Sequence, residues 1–185
     1  MITAIRKGAL LGVLVLGGGL LLAPSAFAAA EEPAGCPPDT WYEVTQYGSA
    51  HYEAIGSPSG KYNSSSSTET LRYDLTTTSS KSTTWSAEAG GSVSWGIATV
   101  QAKTSYSVTK QTTSGKTLAN TINVPAHKYG YTTPKIERRV FQIEKYQDTP
   151  RCTPRSLGVV GRLNAITAYP FFSECTAASP CTPKP

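Results

Sequence analysis

The chain has 185 residues, a formal net charge of +5, four cysteines and 39% hydrophobic residues. A balance that mild does not make the clustered basic face of a nucleic-acid binder, and the length suits one domain with a modest core after any leader is removed. Apart from the N-terminal run there is no long apolar stretch, which excludes a helical membrane protein.

In Met1-Ile2-Thr3-Ala4-Ile5-Arg6-Lys7, two positive charges precede an uncharged run from Gly8 to Leu22. Pro24 breaks that run, and Ala26-Phe27-Ala28 places small residues at the −3 and −1 positions of a cleavage site. This order predicts a secretory signal peptide over residues 1–28. About 15 apolar residues are too few for a membrane anchor. Pro33-Ala34-Gly35-Cys36 imitates a lipidation site, but Pro33 fills the position that needs a Leu-like residue, and Glu31-Glu32 separate it from the apolar run. The expectation is a single secreted domain over 29–185, carrying 15 Lys and Arg against 12 Asp and Glu.

The four cysteines, Cys36, Cys152, Cys175 and Cys181, all lie in that domain, and an even count in an exported chain reads as two disulfides. Three pairings are open. Cys36–Cys152 with Cys175–Cys181 is favoured because it ties the start of the domain to the end of its sheet region and closes a short loop. Zinc is disfavoured, since paired Cys-x-x-Cys knuckles are missing and His51 and His127 lie far from the cysteines in sequence.

Trp41-Tyr42-Glu43-Val44-Thr45-Gln46-Tyr47, then Tyr52 and Ile55, predict one or two short strands before a turn at Gly56–Gly60. Residues 64–121 follow, with 27 Ser or Thr among 58 residues. Their apolar residues are regularly spaced, unlike those of a disordered linker. Ala89, Gly91, Val93, Trp95 and Ile97 alternate with polar positions. Beyond Gly96 the phase reverses to Ala98, Val100, Ala102, Tyr106 and Val108. A period of two predicts strands, and the phase slip near Gly96–Thr99 predicts a bulge, bend or tight turn. Residues 86–110 are therefore expected as extended, two-faced chain.

Ile122-Asn123-Val124-Pro125 ends a further strand, Pro125 and Gly130 punctuate a loop, and Ile136–Tyr146 reads as a buried strand. Leu157–Gly161 and Ala165–Phe172 predict a short strand or helix, and the tail 152–185 carries three of the cysteines. The fold class expected is all-β: an elongated antiparallel sheet or sandwich with long Ser/Thr-rich amphipathic strands, stabilised by disulfides.

Chemistry-bearing motifs are scarce. No Gly-x-Ser-x-Gly elbow, His-Glu-x-x-His or Walker-type loop is present, and Gly60-Lys61 and Gly115-Lys116 lack the rest of a phosphate loop. Glu43, Glu53, Glu69, Asp74 and Glu88 show no spacing that sets them apart from surface charges. The reading is a non-enzymatic protein with no cofactor and no metal.

A Ser/Thr-rich amphipathic hairpin (Trp85–Ile97 and Val100–Val108), then a strand ending in Val124-Pro125, then an aromatic strand, resembles the pore-forming domain of aerolysin/ε-toxin-type β-pore-forming proteins over about residues 64–146. The resemblance implies an elongated sheet, a homo-oligomer and release of residues 86–110 into a membrane barrel. The membrane-facing residues would be Val93, Trp95, Ile97, Val100, Ala102, Tyr106 and Val108, with membrane lipid as the partner. The chain has little room for the separate receptor-binding domain that such proteins usually carry, and it has no acidic activation peptide. The alternative is an extracellular binding or structural module for cell wall, cell-surface glycan or a secreted protein, since numerous Tyr and Trp suit sugar faces and interfaces.

Overall fold

The computed structural model describes residues 35–179 and 181, so the signal-peptide reading of 1–28 lies outside the described residues. The frame is a long antiparallel hairpin of β7 (Tyr129–Asp148) and β8 (Pro154–Ala177). Three short strands, β1 (Thr40–Tyr47), β2 (His51–Ala54) and β3 (Ser59–Tyr62), pair in succession along the free edge of β7. β5 (Thr84–Ala87) pairs with the free edge of β8. A second sheet of two strands, β4 (Glu69–Thr76) and β6 (Thr117–Val124), completes an antiparallel, mostly β fold.

Short strands lying end to end suit the punctuation in the sequence. Gly48 follows β1, and Gly56-Ser57-Pro58 separates β2 from β3, so no single strand runs the length of that edge of β7. The tail read as a short strand or helix is instead one 24-residue strand. Its apolar spacing alone would not carry a strand that far, but pairing with β7 supplies the backbone partners at every step. Register shifts between Lys135 and Arg138, and between Ile143 and Tyr146, let the buried residues change phase from Ile136 to Phe141 and Ile143.

One face of this hairpin is covered along its length. At the β6–β7 turn, Tyr73, Leu75, Ile122 and Val124 of the two-stranded sheet cluster with Phe172, and the Tyr73 hydroxyl donates to the Gly130 carbonyl at 2.5 Å. Ile55, Leu118, Ile136 and Ile166 form the middle. Toward the far end Val44, Val100, Phe141, Ile143, Leu163 and Ala165 are packed by Trp85, Trp95, Ile97, Tyr106 and Val108. Each fully buried large side chain contributes on the order of 1.5–3 kcal/mol. Buried Asn63 fixes the β3–β4 connection: its Nδ2 donates to the carbonyls of Ser67 and Val124 at 2.8 Å, and its Oδ1 accepts from Ser65 N–H at 2.9 Å.

The cysteines pair as Cys36–Cys152 and Cys175–Cys181, with Cα separations of 5.2 and 6.5 Å. The first bond ties the chain before β1 to the β7–β8 turn, where the Asp148 N–H also donates to Asp39 O at 3.0 Å. Cys36 is thereby engaged through its sulfur. Two disulfides suit an oxidising, extracellular-type environment. Among the described residues no helix is long and apolar enough to cross a membrane.

The expectation of extended chain over residues 86–110 is corrected. β5 accounts for 84–87, but Val93–Lys103 is an α-helix, α1, and 104–116 is a connection with isolated bridges. The residues satisfy two periods at once. Val93 and Ile97 share one phase of a strand and Val100 takes the other after the slip, yet the three sit at i, i+4 and i+7 of a helix. What read as a bulge, bend or tight turn near Gly96–Thr99 lies within the helix, where the helical spacing replaces the alternating one. Local chemistry then selects the helix. Ser92 caps it, its Oγ accepting from the Trp95 N–H at 3.3 Å, and Lys103 sits in the last turn, where a cation opposes the helix dipole. Gly96 lets α1 approach β5 and β8: a Cβ there would lie 2.9 Å from Trp85 Cε3 and 3.2 Å from Leu163 Cδ1.

Ion pairs join the edge strands to the hairpin. Glu53 on β2 bonds Lys81 and, at 3.0 Å, Arg138 Nε on β7. The Lys81 hydrogen bond holds the Glu53 carboxyl below its ordinary range, against burial that pushes it up, with Arg138 adding to the lowering. A carboxyl with a lowered folded pKa stabilises the fold above its unfolded value, near 4.5, and loses that contribution as pH falls through the folded value. Glu53→Gln is therefore expected to flatten the fall in melting temperature below pH 4.5 while changing little of its pH dependence at neutrality. A fall as steep as that of the parent protein would show that Glu53 is not linked to folding.

Candidate functional site

The seven residues expected to face lipid do not share an exposed stripe. Val93, Trp95, Ile97, Val100 and Ala102 lie on α1, and Tyr106 and Val108 lie in the connection behind it. Val100 is fully buried, Trp95, Ile97, Tyr106 and Val108 pack on the core cluster beside Phe141, and Ala102 is exposed. The Tyr106 and Phe141 rings meet edge to face with centroids 5.3 Å apart. In this state Val100, Trp95, Ile97, Tyr106 and Val108 cover the sheet face. The physical reason is coverage: without α1 and the 104–109 segment, Phe141, Ile143 and Leu163 would face water.

Trp95 alone serves two purposes. Its ring meets Tyr42 of β1 at 5.1 Å and Trp85 of β5 at 5.5 Å, both edge to face. It also lines an open groove of about 400 Å³ between β1 and α1, with Trp41, Tyr42, Ala98, Thr99, Ala102 and Lys103. Alternation in β1 turns Tyr42 and Val44 toward α1, whereas Trp41 stacks on Tyr146 across the sheet with centroids 6.0 Å apart. The helix presents Ala98 and Ala102 one turn apart, so small methyl groups floor the groove between the rings.

At its rim Lys103 Nζ donates to Glu43 Oε1 at 3.1 Å. Both side chains are about two-fifths exposed, 39% and 43%, so this pair contributes little to stability. An ammonium has three donors and a carboxylate several lone pairs, so the pair retains hydrogen-bonding capacity toward a ligand. Thr99 donates to the Trp95 carbonyl at 3.0 Å, which leaves its oxygen able to accept.

A smaller cleft of about 190 Å³ lies on the hairpin beside β2, lined by Ser49, His51, Arg138, Arg139, Val140 and Asn164. Its guanidinium groups are committed: Arg138 to Glu53 and the Ser82 carbonyl, Arg139 to Glu137 at 2.8 Å and to the face of Tyr106. His51 comes here, and His127 lies exposed in the β6–β7 turn at a φ of 55°, so the two histidines are not brought together. Among the described residues no three His, Cys, Asp or Glu side chains are placed to hold a metal. Glu43 bonds Lys103 of the groove, Glu53 belongs to the β2 network, and Glu88 pairs with Arg162 at 2.9 Å.

The groove joins residues that the sequence kept apart. Trp41 and Tyr42 are read there as residues of a short strand, and neither Thr99 nor Lys103 is singled out as a ligand contact. The one available signal was the Trp-Tyr pair on a short strand next to Gly48. No family model matches the chain, and neither does any curated protein or any solved structure.

Proposed function

We propose that the chain is a secreted, non-enzymatic binding module that holds an extracellular ligand in the groove between β1 and α1. The observation that carries this reading is the meeting of Tyr42 and Trp95 at one open, largely apolar groove, which Trp41 also borders, with a donor–acceptor pair beside it. Ligand sites have this make-up, apolar and aromatic walls with few polar groups, and about 400 Å³ lies within their usual ~300–1,000 Å³. The leader read in the sequence and the two disulfides, which suit an oxidising environment, support a ligand outside the cell. The mature monomer is expected to co-sediment with purified cell wall at physiological salt, and Trp95→Ala to reduce the retained fraction at least fivefold. No retention of the parent protein would sink the reading.

A second reading is favoured by one observation. Residues 86–110 keep the alternating pattern of a barrel strand although 93–103 are helical. Val93, Gly96, Ile97, Thr99 and Val100 together make this helix about 3 kcal/mol poorer than an alanine equivalent, and eleven residues are too few for a helix stable alone. Docking on β1, β5 and β8 holds it. A membrane-acting protein, forming a homo-oligomer on lipid as the aerolysin-type resemblance implies, would release this segment as paired strands. Dye release from liposomes together with heat-resistant oligomers is the expected result for that reading; neither, across several lipid compositions, removes it.

A further inference from the structure

We infer that the occupant of the β1–α1 groove is a neutral glycan, one sugar ring lying against the Trp95 indole with its hydroxyls reaching the Glu43–Lys103 pair. The inference rests on the binding-module reading and adds the chemical class of the ligand. Three features of the groove select that class.

The first is charge. Among the described residues lining the groove, Lys103 is the one with a formal charge, and Glu43 at 3.1 Å cancels it. An anionic polymer would have to displace that carboxylate, and a cation would have to displace the ammonium. Neither gains a net attraction.

The second is shape. The groove is open along its side and bounded by flat rings, with Ala98 and Ala102 between them. A pyranose presents an apolar C–H face that packs on an aromatic ring and a polar circumference that stays wet. An aliphatic chain needs enclosure along its length to leave water, which an open groove does not supply.

The third is the rim. The ammonium supplies donors, the carboxylate and the Thr99 oxygen supply acceptors, and a ring of hydroxyls needs both kinds at once. These groups stand beside the groove, where a sugar's hydroxyls would sit if its C–H face lay on Trp95.

The test is an intrinsic-fluorescence titration of the mature, disulfide-bonded protein. The probes are the neutral hexasaccharides of cellulose, chitin, amylose and mannan, then polygalacturonate as a polyanion and decanoate as an apolar chain. At least one neutral hexasaccharide is expected to bind with a Kd below about 1 mM, which is the affinity of a weak single-ring contact. Because Trp95→Ala removes packing as well as groove wall, the second variant is Ala102→Arg. It fills the groove from an exposed position with a good helix former, and it should keep the parent's far-ultraviolet dichroism and melting temperature. Both variants are expected to weaken hexasaccharide binding at least tenfold. Binding that Ala102→Arg leaves unchanged would put the sugar elsewhere and overturn the assignment. If only polygalacturonate or decanoate binds, or if the protein sediments with cell wall that no neutral hexasaccharide can compete, the ligand class is wrong while the binding-module reading stands. If wall retention and all titrations fail together, both fall.

Discussion

Replacing Cys36 and Cys152 together by alanine is expected to lower the free energy of unfolding by about 5 kcal/mol, the loop-entropy figure for a cross-link of this span. The bond joins positions 116 residues apart, so in the unfolded chain it removes far more freedom than the six-residue Cys175–Cys181 bond, for which the same argument gives about 2 kcal/mol. It also holds the residues ahead of β1 against the β7–β8 turn, beside the groove at Trp41. Urea unfolding of the two double variants, unreduced, gives both values. The Cys36/Cys152 variant should have the lower midpoint, and it should lose groove binding in the same denaturant range where β1 detaches. Equal midpoints for the two variants would show that the long cross-link constrains little.

Phe141→Ala is expected to cost about 3–5 kcal/mol, as a large aromatic removed from a full core does. Phe141 is 0% exposed, and it sits where the hairpin, α1 and the 104–109 connection meet. Its loss leaves a cavity under Tyr106 and takes a wall from Val100, so the effect should extend beyond the global melt. Amide exchange over 93–109 is expected to accelerate by a larger factor than exchange in β4 and β6, which pack through a different cluster. Val140→Ala, one residue earlier and 42% exposed, is the control and should change stability by less than about 0.5 kcal/mol. A Phe141→Ala protein as stable as that control would show the cluster to be loosely packed.

How much of this was legible beforehand depended on how many physical forces agreed at each residue. In Trp41–Tyr47, aromatic and β-branched content and flanking turn residues pointed the same way, and a strand is found there, as one is before the expected end at Val124-Pro125. The two cysteine pairings followed the favoured pattern of one long tie and one short loop. At Ala165–Phe172 local preference was weak, and the length of β8 came from its partner β7. At Val93–Lys103 the forces disagreed. Alternation favoured a strand, while Ser92, Lys103 and the Val93/Ile97/Val100 spacing favoured a helix, and the sequence held no measure of which would be buried.

The groove was the least readable feature. Its walls come from residues 41–42 and 95–103, joined only because β1 pairs with β7 and α1 packs over the same hairpin.

The order of residues alone determined that this is a disulfide-bonded, strand-dominated chain, because alternation, turn chemistry and cysteine number are local properties that survive in any arrangement. The tertiary structure decided the helix at 93–103 and the aromatic groove beside it. Both depend on which apolar surface of the β7–β8 hairpin remained to be covered, and that surface exists only after distant strands have paired.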